Sequence, residues 1–267
     1  MVISHASAFD KIAATYDQEF SDSLVGQAQR NCVWEEMDRA FSPGERILEI
    51  NCGTGVDAVR LAQKGIEVFA YDASPAMVNV AGRRVRGKSL QDRIRLGILP
   101  SENLARIEGE SLFDGLLSDF GGLNCVEDLP ALASDAARLL KPGAPALICV
   151  FGRHCAWEIL WYLGKLNPRK SFRRWRLVVQ SEVGHDAPVT VYYHSLSAIW
   201  RAFEPHFTLE RWRGIGTAVP PTYLKGLARR FPRVLAAASR LDQTLGALPV
   251  WRSLADHLLL IFRRGKT

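Results

Sequence analysis

An apolar run that ends in a glycine-rich turn, Arg46-Ile-Leu-Glu-Ile-Asn-Cys-Gly-Thr-Gly55, constrains this chain more than any other stretch. It reads as a strand and a tight turn, with a helix pattern starting at Val56. A second apolar run begins at Glu67 and ends at Tyr71-Asp72. Glycine lets a backbone approach a ligand closely, because no Cβ stands in the way. A carboxylate about 20 residues beyond such a turn is placed to accept hydrogen bonds from both hydroxyls of a ribose. Asp72 follows Gly53 by 19 positions. Strand, glycine turn, helix, strand and carboxylate in that order predict a site for an adenosine-containing ligand.

Two ligand classes share this plan. The dinucleotide fingerprint G-x-G-x-x-G needs a third glycine to pack helix against strand. Here Gly53 and Gly55 are followed by Val56, Asp57 and Ala58, so a flavin or nicotinamide oxidoreductase is disfavoured. Glu49-Ile-Asn51-Cys52-Gly53-Thr-Gly55 instead resembles motif I, E/D-x-G-x-G-x-G, of class I S-adenosylmethionine-dependent methyltransferases. Asn51 replaces the first glycine, and Asn tolerates positive φ better than most residues.

Further landmarks carry the resemblance. Phe9-Asp10-Lys-Ile-Ala13-Ala-Thr-Tyr16-Asp17 is similar to the opening of small-molecule methyltransferases of the type 11 and type 25 kind. There the aromatic residue folds over the cofactor, which makes Tyr16 the candidate lid. Asp72-Ala73-Ser-Pro-Ala-Met77 resembles the D-x-S-x-x-M segment whose Met lies against adenine, although Met77 reads equally well as core filler. After the third strand the family often has an adenine-binding Asp. None stands in Gly97-Ile-Leu99-Pro-Ser-Glu102, so backbone near Leu99, or Glu102, is expected to take its place. Phe113 to Asn124 resembles motif IV, with Asp119, Phe120 and Gly121-Gly122 at the strand's rim. Lys141-Pro-Gly143 is similar to the family's L-x-P-G-G turn. Together these implied cofactor contacts are Tyr16, Glu49, Asn51, Cys52, Gly53, Asp72, Ala73, Met77, Leu99, Asp119 and Phe120.

The resemblance covers residues 9–152 and implies an α/β fold. A Rossmann-like, seven-stranded, mostly parallel sheet with an antiparallel last strand is expected, sandwiched in three α/β/α layers. Strands are predicted over Arg46–Ile50, Glu67–Tyr71, Arg93–Ile98, Phe113–Asp119, Ala146–Phe151, His206–Arg213 and His257–Arg264. Residues 1–152 are read as lid helices and cofactor core, 153–194 as a cap insertion, and 195–267 as the end of the core. A hairpin of Leu177–Val183 and Val189–His194 is expected in the first insertion, and a second helical insertion over about 214–255.

Charge divides the chain in the same way. Residues 1–150 carry 15 Lys/Arg against 21 Asp/Glu, and residues 151–267 carry 19 against 7. Six of the seven tryptophans lie after residue 150. Arginines attract anions and aromatic side chains offer stacking surface. The expected acceptor is therefore a small or medium-sized, partly apolar molecule, with an anionic group as an open option. A peripheral membrane contact through Phe172-Arg-Arg-Trp-Arg176 is a secondary expectation. The same basic, aromatic character keeps an RNA or nucleotide methyltransferase open, but no appended RNA-binding module and no N/D-P-P-Y/F motif favour it. A cofactor-binding module without catalysis is the other alternative.

The five cysteines, Cys32, Cys52, Cys125, Cys149 and Cys155, have no C-x-x-C pairing and read as buried thiols of a cytoplasmic protein. No metal-ligand cluster stands out. The N-terminus shows no signal segment and no run is long enough to span a membrane. A methyl acceptor that loses a proton benefits from a base. His154, just past the fifth strand, and His194, at the end of the hairpin, are the candidates. Oligomeric state is not legible.

Overall fold

The computed structural model describes residues 5–108, 112–182 and 188–266. Val183, the expected end of a hairpin strand, and residues 1–4 fall outside them. Among the described residues nine strands form two sheets. They are β1 (Arg46–Ile50), β2 (Glu67–Asp72), β3 (Ile94–Ile98), β4 (Gly115–Ser118), β5 (Pro145–Phe151), β6 (Val178–Glu182), β7 (Pro188–Tyr192), β8 (Phe207–Ile215) and β9 (His257–Arg264). The large sheet runs in the order β3-β2-β1-β4-β5-β9-β8. Its first five strands are parallel, and β9 lies antiparallel between β5 and β8. This is the seven-stranded α/β arrangement expected from the sequence.

Strand period 2 builds both faces of this sheet. Leu48, Ile50, Leu116, Ile148, Val150, Leu258, Leu260 and Phe262 point into one core. Ile47, Leu117, Leu147, Cys149, Leu259 and Ile261, their neighbours in sequence, point into the other. Such strands are apolar at nearly every position, as a sheet covered on both sides requires. The first core is closed by α5 (Leu129–Leu139) and α8 (Leu196–Phe203). The second is closed by α2 (Leu24–Ala40), α3 (Val56–Gln63) and α4 (Pro75–Gly87).

Local chemistry starts these helices where the sequence signals them. Ser74 caps α4, its hydroxyl accepting from the Met77 amide at 3.1 Å, and Pro75 occupies the first turn. Asp128 caps α5 in the same way through Ala131. One contact joins elements distant in sequence. Asp10, on α1 (His5–Ile12), accepts from Ser74 Oγ at 2.5 Å and from the Ala76 amide at 3.0 Å. The N-terminal helix is thereby fastened to the start of α4.

The two segments left over from the sheet pack at its ligand-facing edge. The first comprises α6 (Ala156–Gly164), the short α7 (Pro168–Ser171), a single 3-10 turn and the β6–β7 hairpin. Val189, Val191 and Tyr193 of the hairpin share a small core with Ala8 of α1. The second comprises α9 (Lys225–Arg230), α10 (Pro232–Leu245) and α11 (Pro249–Ser253). Val219, Ala228 and Leu235 there pack on Val25 and Ala28 of α2. Among the described residues no helix is long and apolar enough to cross a membrane.

Phe262 joins the antiparallel strand to α8. It is fully buried and lies 4.9 Å from the Phe203 ring and 6.4 Å from that of Phe207. Phe262→Ala is expected to cost about 3–5 kcal/mol of folding stability through lost transfer energy and a residual cavity. Urea unfolding of the two proteins measures it.

Candidate active site

In an open α/β sheet the ligand crevice lies beyond the carboxyl ends of the parallel strands. A cavity of about 400 Å³ opens there. Consecutive strand ends supply its wall: Asn51 and Gly53 after β1, Asp72 to Ser74 at β2, Ser101 and Glu102 after β3, Asp119 to Gly122 after β4, and Phe151 on β5. Helix α1 and the turn after it add Ala6, Phe9, Tyr16 and Phe20, and the hairpin adds Ser181, Val189, Val191 and Tyr193.

The glycine turn is left-handed where the sequence requires it. Asn51 stands at φ 59° and Gly53 at φ 53°, and a Cβ built on Gly53 would meet no atom within 4 Å. That open space is what a closely approaching ligand needs. Asn51 exchanges hydrogen bonds with Ser101 through its side-chain amide. The space beside it is filled, since a Cβ on Gly122 would come within 2.3 Å of the Asn51 Cβ. Asp72 bridges the turn and the next helix: one carboxylate oxygen accepts from the Gly53 amide and the other from the Ser74 amide, both at 2.8 Å. Burial raises its pKa, and these two amides oppose the rise.

Beneath the turn sits a charge cluster in which acids outnumber bases. Arg30 of α2 contacts Asp57 Oδ2 directly, and its guanidinium is 3.9 Å from Asp119 Oδ2. Trp34 donates to Asp57 Oδ1 at 2.7 Å. Burial pushes the carboxyls of Glu49 and Asp119 well up, and Asp57 adds to both by repulsion. Asp119 Oδ1 accepts from the Phe120 amide at 2.8 Å, while its buried Oδ2 has no hydrogen-bond partner among the described residues. Phe120 holds φ 45°, an uncommon region for an aromatic residue. Its ring is packed by Phe20 at 4.8 Å, Arg30 at 4.8 Å and His257 at 5.4 Å.

The lid segment is tied down independently. Asp17 accepts from Thr54 of the glycine turn at 2.6 Å and pairs with Arg84 of α4 at 2.5 Å. Tyr16 beside it is half-buried, and burial raises its phenol to about 12 despite nearby Arg30.

Of the cofactor candidates from the sequence, Tyr16, Asn51, Gly53, Asp72, Ala73, Met77, Asp119 and Phe120 line this one cavity. Three stand behind the wall. Glu49 and Cys52 are buried, and the Cys52 amide donates to the Tyr71 carbonyl at 3.0 Å. The Leu99 amide is used by the Asp72 carbonyl at 2.9 Å, and Ser101 and Glu102 form the wall there instead. The two candidate bases are not in the lining. His154 is exposed, 5.8 Å from the Trp175 ring. His194 is buried, its Nε2 2.9 Å from the Val126 carbonyl oxygen, because the hairpin turns back onto the rim there.

Among the described residues, His257 is the histidine that does face the cavity. Its imidazole lies between Phe120 and Phe151, 4.8 Å from the latter. Nδ1 is buried without a hydrogen-bond partner among the described residues, and it sits 3.4 Å from Asp256 Oδ2. Burial lowers the His257 pKa below its ordinary value, while Asp256 opposes that shift. Burial would raise Asp256, but the charges of His257 and Arg174 and hydrogen bonds from Arg174 and Gln29 keep it below the usual carboxylate range. The signal that points to His257 lies in topology. An antiparallel last strand begins at the rim where its parallel neighbours end, so its first residue lands at the site; His257 is paired with Phe151.

Two cap arginines, Arg173 and Arg174, also reach the cavity wall. Arg173 makes a two-pronged bond to Glu158 at 2.6 and 3.0 Å. Arg174 reaches Glu158 at 3.0 Å, Asp256 Oδ1 at 2.8 Å and the carbonyls of Gly152 and Asp256. Both positive charges are therefore matched within the protein.

Comparison with known proteins meets this geometry. Residues 47–143 match the family model described as a methyltransferase domain. A demethylmenaquinone methyltransferase of Clavibacter sepedonicus is 34% identical over 149 residues, 55% of this chain and 57% of that protein. One from Symbiobacterium thermophilum is 34% identical over 152 residues, 53% and 56% of the two chains. The chain thus spans little more than half the length of these curated relatives. Among solved structures, Haemonchus contortus phosphoethanolamine N-methyltransferase 2 in complex with S-adenosyl-L-methionine superposes with a TM-score of 0.58 at 19% identity, over 99% of this chain and 60% of that one. The [4+2]-cyclase SpnF gives a TM-score of 0.58 at 17% identity, over 90% and 81%. These structural likenesses establish the fold. With the sheet order, the glycine turn after β1 and the matched family model together, residues 47–143 carry a methyltransferase domain.

Proposed function

We propose that this chain transfers a methyl group from S-adenosylmethionine to a largely apolar, ring-bearing small molecule. The observation that carries the reading is the gathering of eight motif residues, from Tyr16 to Phe120, around one cavity beside an aromatic chamber. The donor set fits the cofactor. The Asp72 carboxylate is available to ribose hydroxyls, the open space over Gly53 admits a ligand, and Asp119, whose Oδ2 accepts no hydrogen bond among the described residues, suits a cationic group. Tyr16, Asn51, Ala73, Met77 and Phe120 complete the enclosure, and Glu49, Cys52 and Leu99 support it from behind. When bound, S-adenosylmethionine supplies an electrophilic methyl group.

The acceptor's side of the cavity is lined by Phe151, Val189, Val191, Tyr193, Pro221, Tyr223 and His257. Aromatic walls suit a planar, apolar guest. Because Glu158 and Asp256 satisfy Arg173 and Arg174, a neutral acceptor is favoured over an anionic one. The relatives named for demethylmenaquinone support a ring acceptor of this kind. A cavity roofed by the hairpin favours a small molecule over RNA. In this reading residues 153–194 and 214–255 form the cap. His257, neutral near pH 7, takes the proton that the acceptor gives up as it bonds to the methyl carbon, and Asp256 steadies the resulting imidazolium. Holding the acceptor in line with the methyl group supplies much of the rate.

Isothermal titration with S-adenosylmethionine tests the first half. Asp72→Ala is expected to weaken binding about 10- to 100-fold, the range for hydrogen bonds to a charged acceptor. Gly53→Val is expected to weaken it further, and unchanged affinity in both would refute the pocket.

A pH–rate profile tests the second half. Since burial lowers the His257 pKa from its ordinary 6.5, the base form is complete above pH 6.5 and is lost as pH falls through the lowered value. The acid limb of kcat/KM is therefore expected below pH 6.5. His257→Asn is expected to reduce the rate about 100-fold and abolish that limb, with S-adenosylmethionine affinity retained. Binding without turnover on any quinone-like acceptor would support the non-catalytic module instead.

A further inference from the structure

Helix α6 and the segment after it carry a surface that the methyl-transfer reading does not use. Globular surfaces expose single leucines routinely; a contiguous set beside basic residues marks an interaction site. Along α6 and its C-terminal turn, Leu160 is 68% exposed, Leu163 42%, Leu166 91% and Trp161 38%. Leu166 also holds φ 54°, where glycine or asparagine would be less strained than this outward-facing leucine.

The accompanying charge has one sign. Residues 159–181 contain six Lys or Arg and no Asp or Glu. Arg173 and Arg174 are engaged by Glu158, whereas Lys165, Arg169, Lys170 and Arg176 are exposed. Two of these cations sit over aromatic rings. Lys165 Nζ is 4.5 Å from the Trp161 ring centre, and Lys170 Nζ is 5.7 Å from that of Tyr162. The patch also adjoins the cavity: the Tyr162 ring is 6.3 Å from that of Tyr223, which lines it.

We infer that this face docks on an anionic phospholipid bilayer, with the leucines and Trp161 entering the interface and the lysines and arginines meeting lipid phosphates. Apolar residues interleaved with cations are the composition that binds such surfaces. A second copy of the chain fits less well, because a two-fold pairing would set this basic face against itself. RNA fits less well too, since Leu160, Leu163 and Leu166 would add exposed aliphatic surface that neither phosphates nor stacked bases cover. The inference goes beyond the methyl-transfer reading and does not depend on it; the cavity's position beside the patch would let a lipid-dissolved acceptor pass directly inward.

Co-sedimentation with vesicles tests it. The intact protein is expected to pellet with phosphatidylglycerol–phosphatidylcholine vesicles, to stay in solution with pure phosphatidylcholine, and to release as salt rises. The paired change Leu163→Glu with Leu166→Glu, and separately Lys165→Glu with Lys170→Glu, is expected to weaken partitioning at least about tenfold. Leu166→Ser, at a site 91% exposed, serves as the milder version if circular dichroism shows that a double variant has unfolded. No pelleting by the intact protein, or undiminished pelleting by the folded variants, would overturn the inference. So would a dimer in light scattering that the same substitutions dissociate, or retention by RNA alone. S-adenosylmethionine affinity, read by titration, is expected to stay unchanged in all these variants, which separates failure of the lipid surface from failure of the methyl-transfer reading.

Discussion

The guanidinium of Arg174 holds the two parts of this molecule in register. It is 5% exposed and bonds to the Gly152 carbonyl after β5, to the carbonyl and carboxylate of Asp256 before β9, and to Glu158 on α6. One side chain from the first insertion therefore stitches two neighbouring core strands to the helix that covers them. A planar guanidinium with several fixed donors can do this, whereas a lysine ammonium cannot reach the same geometry. Breaking such a buried pair on one side costs about 3–5 kcal/mol, because the remaining charge is stranded. The same network fixes Asp256 beside His257, so the position of the cavity-facing His257 depends on Arg174, which bonds to Asp256 from 82 positions away in sequence.

A second buried network, around Arg30, carries a larger excess of acid. Three carboxyls, Glu49, Asp57 and Asp119, surround the single guanidinium of Arg30. Water is excluded, so the acids cannot all remain ionised, and burial pushes Glu49 and Asp119 toward the neutral form. A polar floor that carries spare acid capacity beneath a glycine turn is suited to a ligand bearing positive charge. The donors of Arg174 are matched by the protein itself, whereas in the second network Asp119 Oδ2 has no hydrogen-bond partner among the described residues.

The arginines after residue 150 illustrate how composition misleads. Read as a list, Arg173, Arg174, Arg211 and Arg213 suggest a basic lining awaiting an anion. In the fold, the first two are held by Glu158 and Asp256, and the other two by Glu36 of α2 at 2.7 and 3.2 Å. Charge counts cannot foresee this, because each partner is supplied by a different element. The outer stretch of residues 159–181 is different, because it carries no acid of its own to match its exposed cations.

Much of the core and half of the site were legible without coordinates. Near-continuous apolar runs at Arg46–Ile50 and Pro145–Phe151 belong to doubly covered parallel strands, and Ser74-Pro75 and Gly53 mark their turns through local stereochemistry. These signals act within a few residues, so a linear chain displays them. The tertiary structure alone decided what depends on distant neighbours. It put His257 rather than His154 or His194 at the cavity, because an antiparallel strand delivers its first residue to the rim. Of the two sequence candidates after β3, Leu99 and Glu102, it brought Glu102, with Ser101, to the cavity wall, while the Leu99 amide is used by the Asp72 carbonyl. Periodicity and turn chemistry determine which elements form; which side chains meet is set by how those elements stack, and long-range pairing leaves no trace in local sequence.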